Sequence, residues 1–218
     1  MPEYLNQLWS NGTEVRVWHI VESEEYFLDQ IKWPKNELVL ISDFHPKRRL
    51  EYVASRYLLY KYHEDVSPQN IIKDEFGKLI LKDGLHKISI SHSGNYTAFV
   101  KSPVEVGIDL QVFQEKILQI QSRFIHPSDF LYQSNQSQPI GVSSATLVWC
   151  AKEAVYKAHG KRNIHFKKQI RLQEPIGGNP NEFGRVSLIL EDEIKLYQIY
   201  YEIHTEFVWL VAILMDDL

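Results

Sequence analysis

The 218-residue sequence lacks several features that would place it in a specialised class of protein. It contains one cysteine, which excludes an internal disulfide and is typical of a reducing compartment. Its formal net charge is −4, so no overall positive charge indicates binding to nucleic acid. The hydrophobic content of 44% and charged content of 24% are those of a globular protein that buries a core without staples.

Long apolar segments are also missing. The longest apolar run, residues 207–215, is too short to cross a bilayer as a helix. The N-terminal Met1-Pro2-Glu3-Tyr4 lacks the basic-then-apolar pattern of a signal peptide. We therefore expect a cytoplasmic protein that contacts neither a membrane nor a nucleic acid.

Several common catalytic motifs do not occur. The sequence has no Gly-x-x-x-x-Gly-Lys-Ser/Thr, no Gly-x-Gly-x-x-Gly, no Gly-x-Ser-x-Gly and no His-Glu-x-x-His. These absences exclude a P-loop enzyme and give no indication of a dinucleotide, nucleophile-elbow or zinc site. Cys150 lies inside a predicted helix, which favours a packing role over a nucleophile.

The spacing of apolar residues predicts an α+β protein. Helical periodicity is strongest over residues 46–63 and 146–159, and Gly160 is a typical residue to end the second helix. Shorter helices are predicted at 22–33, 115–122 and 127–132, with an exposed loop at 134–144. Strands are predicted at 14–21, 71–72, 78–81, 87–91, 96–100, 104–110, 166–172, 185–190, 195–203 and 207–214.

A possible metal site begins on the predicted strand that contains Gly107-Ile108-Asp109-Leu110-Gln111. Asp109 and Gln111 are two residues apart, so both side chains point to one face of the strand. A carboxylate there could hold a hard cation, and Gln111 could add an amide oxygen or hold a metal-bound water. Taken alone, an aspartate that merely ends a strand is an equally ordinary interpretation.

The predicted helix at 146–159 carries the second acid, within Trp149-Cys150-Ala151-Lys152-Glu153-Ala154-Val155-Tyr156-Lys157. Trp149, Glu153 and Lys157 are spaced by four residues and form one stripe. An acid that binds Mg²⁺ and a lysine that meets phosphate belong side by side, so the stripe is consistent with the wall of a cleft. A solvated helix salt bridge is the alternative.

Two further segments have the residue types expected of an anion site. Ser91-His92-Ser93-Gly94 follows a predicted strand, and its glycine permits a tight turn near a ligand. Lys47, Arg48 and Arg49 begin the helix at 46–63, where cations oppose the helix dipole and therefore favour an anionic partner. A structural histidine and a solvated helix start are the alternatives.

Taken together and in this order, these segments resemble the 4′-phosphopantetheinyl transferases of the Sfp type. The resemblance covers about residues 45 to 160. It implies a pseudo-duplicated 4′-phosphopantetheinyl transferase fold, with two similar subdomains and the cofactor site between them. Residues 1–103 would form the N-terminal subdomain with the coenzyme A phosphate contacts, and residues 104–218 the C-terminal subdomain with Mg²⁺ and the catalytic residues.

The resemblance also implies a reaction. 4′-Phosphopantetheine passes from coenzyme A to a serine of an apo acyl or peptidyl carrier protein, giving holo carrier protein and adenosine 3′,5′-bisphosphate. Such carriers serve fatty acid, polyketide and nonribosomal peptide synthesis. A monomer suffices, because one chain holds both subdomains. The resemblance implies these roles: metal ligands Asp109, Glu153 and Gln111, the last through water; catalytic residues Asp109, Glu153, Lys157 and Asp129; coenzyme A contacts Lys47, Arg48, Arg49, Lys78, Ser91, His92, Lys152 and Lys157.

The sequence departs from the family pattern at three positions. Gln111 stands where many members have a third acid, Leu79 replaces the proline after Gly77-Lys78, and Asp129 is shorter than the family's glutamate. The first departure keeps open a carrier-binding module that has lost catalysis. A different Mg²⁺-dependent phosphohydrolase is the other alternative, although the Ser-His-Ser-Gly and basic segments argue against it.

Overall fold

The computed structural model describes residues 3–61, 67–68, 70–82, 84–129, 140–179 and 181–215, without the side chains of Glu3 and Asn181. The chain divides into two compact units, Met1–Pro103 and Val104–Leu218. Each unit contains helices and an antiparallel sheet, so the predicted α+β class is confirmed. In the described part of the chain, no helix has the length and apolar character needed to cross a bilayer.

Unit 1 is a six-stranded antiparallel sheet with three helices. The strand order in the sheet is β1-β2-β6-β5-β4-β3. The elements are β1 (Glu3–Leu8), β2 (Glu14–His19), α1 (Glu24–Gln30), α2 (Lys35–Ser42), α3 (Pro46–Lys61), β3 (Ile71–Lys73), β4 (Leu79–Leu81), β5 (Lys87–Ser93) and β6 (Tyr96–Ser102).

The core of unit 1 forms around α3. Val53, Ala54, Tyr57 and Leu58 recur at helical spacing and are buried, together with Phe99 of β6. The first turn of α3 remains outside this core, and Lys47 and Arg48 there are exposed. The helix therefore anchors the unit through its middle while presenting its N-terminal cations to solvent.

Unit 2 is a five-stranded antiparallel sheet packed on one long helix. The strand order is β7-β11-β10-β9-β8. The elements are β7 (Val106–Val112), α4 (Lys116–Phe124), α5 (Val142–His159), α6 (Phe166–Gln169), β8 (Ile170–Leu172), β9 (Asn181–Ile189), β10 (Ile194–Ile203) and β11 (Phe207–Leu214).

Gly107 allows β7 to lie directly against α5. A Cβ atom on Gly107 would lie 2.5 Å from the Ala158 backbone nitrogen and closer still to the Ala154 carbonyl oxygen. Ala154 and Ala158 are themselves buried, so small residues line both sides of the contact. Asp109 is two residues further along the strand and points to the same face. The close approach at Gly107 therefore brings Asp109 beside the last turns of α5.

Gly107→Ala should separate β7 from α5, because the added methyl group collides with helix backbone that cannot rotate away. We expect a loss of about 1–3 kcal/mol in the free energy of unfolding, the usual cost of overpacking a core. Urea unfolding followed by circular dichroism measures it. Gly141→Ala is the matched control, because a Cβ there meets nothing within 4 Å. Equal stability of the two variants would contradict this account of the contact.

Four predicted elements differ from the structure. Residues 127–129 form a turn instead of a helix, and residues 130–132 lie outside the described part. Helix α5 begins at Val142, so the predicted loop at 134–144 ends sooner, with 134–139 also outside it. The predicted strand at 166–172 is a helical turn, α6, followed by the short β8. Neither β1 nor α2 was predicted.

Candidate active site

A buried carboxylate and an ammonium group meet where β7 lies against α5. The Asp109 side chain is only 2% exposed, and the Lys157 side chain is 27% exposed. Lys157 Nζ is 2.7 Å from Asp109 Oδ1 and 3.0 Å from the Ile108 carbonyl oxygen. Lysine therefore covers the carboxylate from the solvent side and neutralises it.

Gln111 lies on the other side of the Asp109 carboxylate. Its Nε2 donates to Asp109 Oδ2 over 3.4 Å, and the side chain is half-buried. Both residues belong to β7, with Asp109 opposite Leu210 and Gln111 opposite Val208 in the pairing with β11. The strand thus places a carboxylate and an amide next to each other on the face that meets α5.

Glu153 completes the group of polar side chains on α5. Burial raises the pKa of Glu153 to about 7, the nearby Asp109 carboxylate raises it further, and the Lys157 ammonium partly offsets both effects. The half-buried carboxyl group therefore exchanges a proton near neutral pH. Two carboxyl groups share one ammonium here, so the group carries unbalanced negative charge whenever Glu153 is ionised.

Cys150 packs behind Asp109. Burial raises the pKa of the Cys150 thiol well above its usual range, and the adjacent Asp109 carboxylate adds to the effect. The thiol is thus a protonated, inaccessible packing group, as predicted from its place in the helix. Its contact with Asp109 was not predicted, although Cys150, Glu153 and Lys157 share a helix face by their spacing.

The oxygen donors around Asp109 are suited to Mg²⁺ together with phosphate. Mg²⁺ prefers oxygen ligands and is usually held by one or two carboxylates plus substrate phosphates. Asp109 and Glu153 supply two carboxylates, and rotation of the Gln111 amide would supply a third oxygen. Among the residues that the structure describes, no three or more His, Cys, Asp or Glu side chains cluster as a complete metal site. The donor set therefore fits a cation whose remaining ligands come from the substrate.

Lys152, next to Glu153 in sequence, is directed into the protein interior. The Lys152 and Asp129 side chains are both completely buried, with Lys152 Nζ 2.6 Å from Asp129 Oδ2. The ammonium also donates to the carbonyl oxygens of Phe124 at 2.7 Å and Phe166 at 3.3 Å. Asp129 accepts from the backbone nitrogens of His126 at 2.8 Å and Leu172 at 3.1 Å. This network joins α5 to the segments around it.

The burial of this pair speaks against the roles predicted for its two members. Lys152 was expected to contact coenzyme A, and Asp129 to assist in removing the proton from the acceptor serine. Every donor of the Lys152 ammonium has a protein acceptor, and neither side chain has any exposed surface. A buried ion pair satisfied in this way holds structure together, so we replace both assignments with a structural one.

Trp149 also differs from the prediction that it lines a cleft. Its ring centroid is 5.1 Å from that of Phe124 and 5.6 Å from that of Phe166, which is in turn 5.4 Å from that of Tyr156. Trp149 therefore packs within an aromatic group at the edge of the unit 2 core. Glu153 and Lys157 remain the two residues of the predicted stripe near Asp109.

The basic residues of unit 1 lie on the first turn of α3. Lys47 is exposed, and the Arg48 guanidinium lies 4.6 Å from the centroid of the Phe44 ring. Arg49 Nε is 3.0 Å from a Glu24 carboxylate oxygen. Arg49 therefore already has a counter-ion in its own unit, whereas the structure prints no such acid beside the Lys47 ammonium.

His92 lies near the end of β5, on the hairpin that joins β5 to β6. Its Nδ1 is 3.4 Å from a Glu51 carboxylate oxygen of α3, and 43% of its side chain is exposed. Gly94 has φ of 58° at the first central position of the two-residue turn, where glycine is favoured. The Ser91 side chain, in contrast, is buried. The imidazole is thus held at one nitrogen yet exposed to a ligand.

Lys78 follows the turn between β3 and β4. Gly77 has φ of 92°, and the backbone nitrogen of Lys78 donates to Asp74 Oδ1 at 2.8 Å. The turn therefore forms with Leu79 in place of the family's proline, and Leu79 is buried as the first residue of β4. The Lys78 side chain is half-buried.

Comparison with known proteins identifies the region that contains this group. A family model described as the 4′-phosphopantetheinyl transferase superfamily matches residues 105–212. The chain is also 30% identical over 113 residues to 4′-phosphopantetheinyl transferase gsp of Aneurinibacillus migulanus. That alignment covers 51% of this chain and 46% of the relative, so the match spans about half the length of the relative.

The matched region includes β7 and α5, the two elements that bring Asp109, Glu153 and Lys157 together. The sequence resemblance and the family model thus agree on the same residues. The chain belongs, through residues 105–212, to the 4′-phosphopantetheinyl transferase superfamily.

Proposed function

We propose that this protein is an Sfp-type 4′-phosphopantetheinyl transferase that uses coenzyme A and Mg²⁺ to modify a serine of an apo carrier protein. The products are the holo carrier protein and adenosine 3′,5′-bisphosphate. The observation that supports the proposal most directly is the contact of Asp109, Glu153 and Lys157 inside the region matched by the family model. Carriers of fatty acid, polyketide or nonribosomal peptide synthesis are the proposed acceptors.

Asp109 and Glu153 are the proposed ligands of Mg²⁺, with Gln111 as a neutral neighbour acting directly or through a water. When bound, Mg²⁺ neutralises the charge that develops on the pyrophosphate of coenzyme A as the phosphorus–oxygen bond breaks. Lys157 is placed to add positive charge, because its ammonium lies at the solvent side of Asp109 and is partly exposed. Two acids and one lysine therefore serve the reacting phosphate from neighbouring elements.

The acceptor serine must lose a proton as it attacks the phosphate. Glu153 is the proposed group to take it, because its pKa of about 7 lies near the pH at which such a base works well. Asp129, the other acid considered, is buried against Lys152 and is left out of the proposal. One carboxyl group would then both face the metal and accept the proton, directly or through a water.

The phosphate groups of adenosine are assigned to unit 1. Lys47 and Arg48 are exposed cations at one helix start, and His92 is exposed near a tight turn. Lys78 is the remaining proposed contact in this unit, and Ser91 is proposed through its backbone, since its side chain is buried. These residues lie outside the region matched by the family model, so their assignment depends on the resemblance and on their exposure.

His92→Ala should weaken coenzyme A more than 3′-dephospho-coenzyme A, because only the first ligand carries the 3′-phosphate that His92 is proposed to bind. A hydrogen bond to a charged group predicts a loss of roughly 10-fold or more for coenzyme A. Isothermal titration calorimetry with both ligands measures the difference. His165→Ala, at an exposed histidine of unit 2, is the control. An equal loss for both ligands would remove His92 from the phosphate site.

Docking of the carrier protein is assigned to α4 and the segment after it. Lys116 and Arg123 are exposed on this helix and suit an acidic carrier, with the half-buried Leu118 between them in sequence. Ile117 and Ile120 pack towards the core, and Phe124 is buried, so Phe124 is withdrawn from the expected docking surface. Residues 130–139 of the predicted surface lie outside the described part of the chain.

Mass spectrometry of an apo carrier protein incubated with this protein, coenzyme A and Mg²⁺ tests the proposal. The expected result is a mass increase equal to one phosphopantetheinyl group, lost when Mg²⁺ is chelated. Carriers from the three types of pathway, tested in parallel, identify the preferred acceptor. Binding of the carriers with no mass increase would instead support a carrier-binding module without catalysis.

A further inference from the structure

Two lysines of α5 are paired with aspartates in very different ways. Lys152 is completely buried and donates to three acceptors, Asp129 among them. Lys157 is 27% exposed, and its ammonium contacts Asp109 Oδ1 and the Ile108 carbonyl oxygen. The first lysine is locked in place, whereas the second reaches its aspartate from solvent at the end of a flexible side chain. Only the second pair involves an acid that the proposed function assigns to a metal.

We propose that Lys157 is an exchangeable counter-ion, which neutralises Asp109 in the protein alone and transfers to a phosphate oxygen when metal and coenzyme A bind together. This inference rests on the proposed function. It extends that function by assigning to one lysine two successive partners, a carboxylate and then a phosphate. It makes Lys157 a positioning residue for the metal as well as a contact of the substrate.

The charges around Asp109 require some such exchange. A divalent cation bound to Asp109 would lie close to the Lys157 ammonium, and the two like charges repel each other. The ammonium would also lose its best acceptor, keeping only the Ile108 carbonyl oxygen among the contacts described above. A phosphate group bound at the same time removes both costs, because it offers the ammonium a new anionic partner.

Positive coupling between metal and coenzyme A follows from this exchange. The metal alone must compete with Lys157 for Asp109, so its binding to the protein alone is weak. Coenzyme A takes the lysine and so strengthens metal binding, and by linkage the metal strengthens coenzyme A binding by the same factor. Direct coordination of the metal by phosphate adds to the coupling, but that part does not depend on Lys157.

Titration with Mn²⁺, followed by electron paramagnetic resonance without carrier protein, separates these contributions. Wild type, Lys157→Met and Lys161→Met are each titrated with and without coenzyme A. Lys161 is an exposed lysine just after the end of α5, so its replacement removes the same charge nearby. In Lys157→Met, Mn²⁺ alone should bind about 10-fold more tightly, the lower end for losing a charged competing hydrogen bond. The enhancement by coenzyme A should shrink by a similar factor, and Lys161→Met should resemble wild type.

Mn²⁺ should also raise the melting temperature of Lys157→Met more than that of wild type, since it replaces the missing counter-ion of Asp109. If Lys157→Met fails to fold, Lys157→Gln repeats the test with a donor retained for the Ile108 carbonyl oxygen. Unchanged or weaker Mn²⁺ binding in a folded variant would overturn the inference and leave the proposed function intact. No Mn²⁺ binding to wild type, even with coenzyme A, would overturn both.

Discussion

Asp109→Ala and Glu153→Ala are each expected to lower turnover by about 100-fold or more. The charge that develops on the pyrophosphate oxygens in the transition state would lose one of the two carboxylates that hold its counter-cation. Glu153→Ala also removes the group with a pKa of about 7 that is proposed to accept the serine proton. We therefore expect its effect to be at least as large as that of Asp109→Ala.

Initial rates of carrier modification at several Mg²⁺ concentrations measure this effect, with circular dichroism to confirm folding. Asp192→Ala is the control, because Asp192 is an exposed acid in the turn between β9 and β10. Asp109→Asn tests charge alone, since the amide retains the shape of the carboxylate beside Lys157. If either alanine variant is folded and turns over at a near-normal rate, that residue has no place in the mechanism.

Lys152→Met should destabilise the protein by about 3–5 kcal/mol, the usual cost of removing one member of a buried ion pair. The Asp129 carboxylate would remain buried without its counter-charge, and the carbonyl groups of Phe124 and Phe166 would lose a donor. Burial lowers the pKa of Lys152 in spite of the adjacent carboxylate, so desolvation of the ammonium already opposes the charge. The pair consequently depends on its complete set of hydrogen bonds.

Urea unfolding compares Lys152→Met with Lys161→Met, which removes an exposed lysine. The double variant Lys152→Met/Asp129→Leu should recover much of the lost stability, because apolar residues of similar volume often replace a buried pair at little cost. Coenzyme A affinity of the double variant should stay close to that of wild type. A large, selective loss of coenzyme A binding would instead restore Lys152 as a cofactor contact.

The elements predicted most accurately are those with a strong apolar period. The middle of α3 buries Val53, Tyr57 and Leu58, and β11 agrees with the predicted strand at 207–214 at both ends. The hairpin of β3 and β4 was predicted from its turn, in which Gly77 has positive φ. In each case the local pattern and the tertiary contacts favour the same structure, so the sequence suffices.

The elements that were missed lack such a pattern. β1 is an edge strand on which Tyr4 and Leu8 are exposed, so no buried face marks it in the sequence. α2 exposes Leu38 and Val39 and buries Ile41, which places apolar residues on several sides of the helix. Pairing with a neighbouring strand and packing against α3 decide these elements, and neither is visible in a single segment.

The candidate site shows the same division. Asp109, Glu153 and Lys157 were predicted to act together, and the structure places them close together, although their roles stay predictions. Lys152 and Glu153 are adjacent in sequence and separated by 100° around the helix, so one is buried while the other faces the site. The sequence shows two charged neighbours but cannot show which of them the core covers, because that depends on Asp129, far away in the chain.

The strand order of unit 2 has a consequence for the timing of assembly during synthesis. β7, which carries Asp109, lies at the edge of the sheet as described here, and β11 is the strand that pairs with it. β11 is also the last strand of the sheet to be made, so most of unit 2 leaves the ribosome before Asp109 acquires its strand partner. Contacts between such distant segments form slowly. A nascent chain that stops before residue 207 would therefore contain Asp109, Glu153 and Lys157 and still lack the strand that aligns the first with the other two.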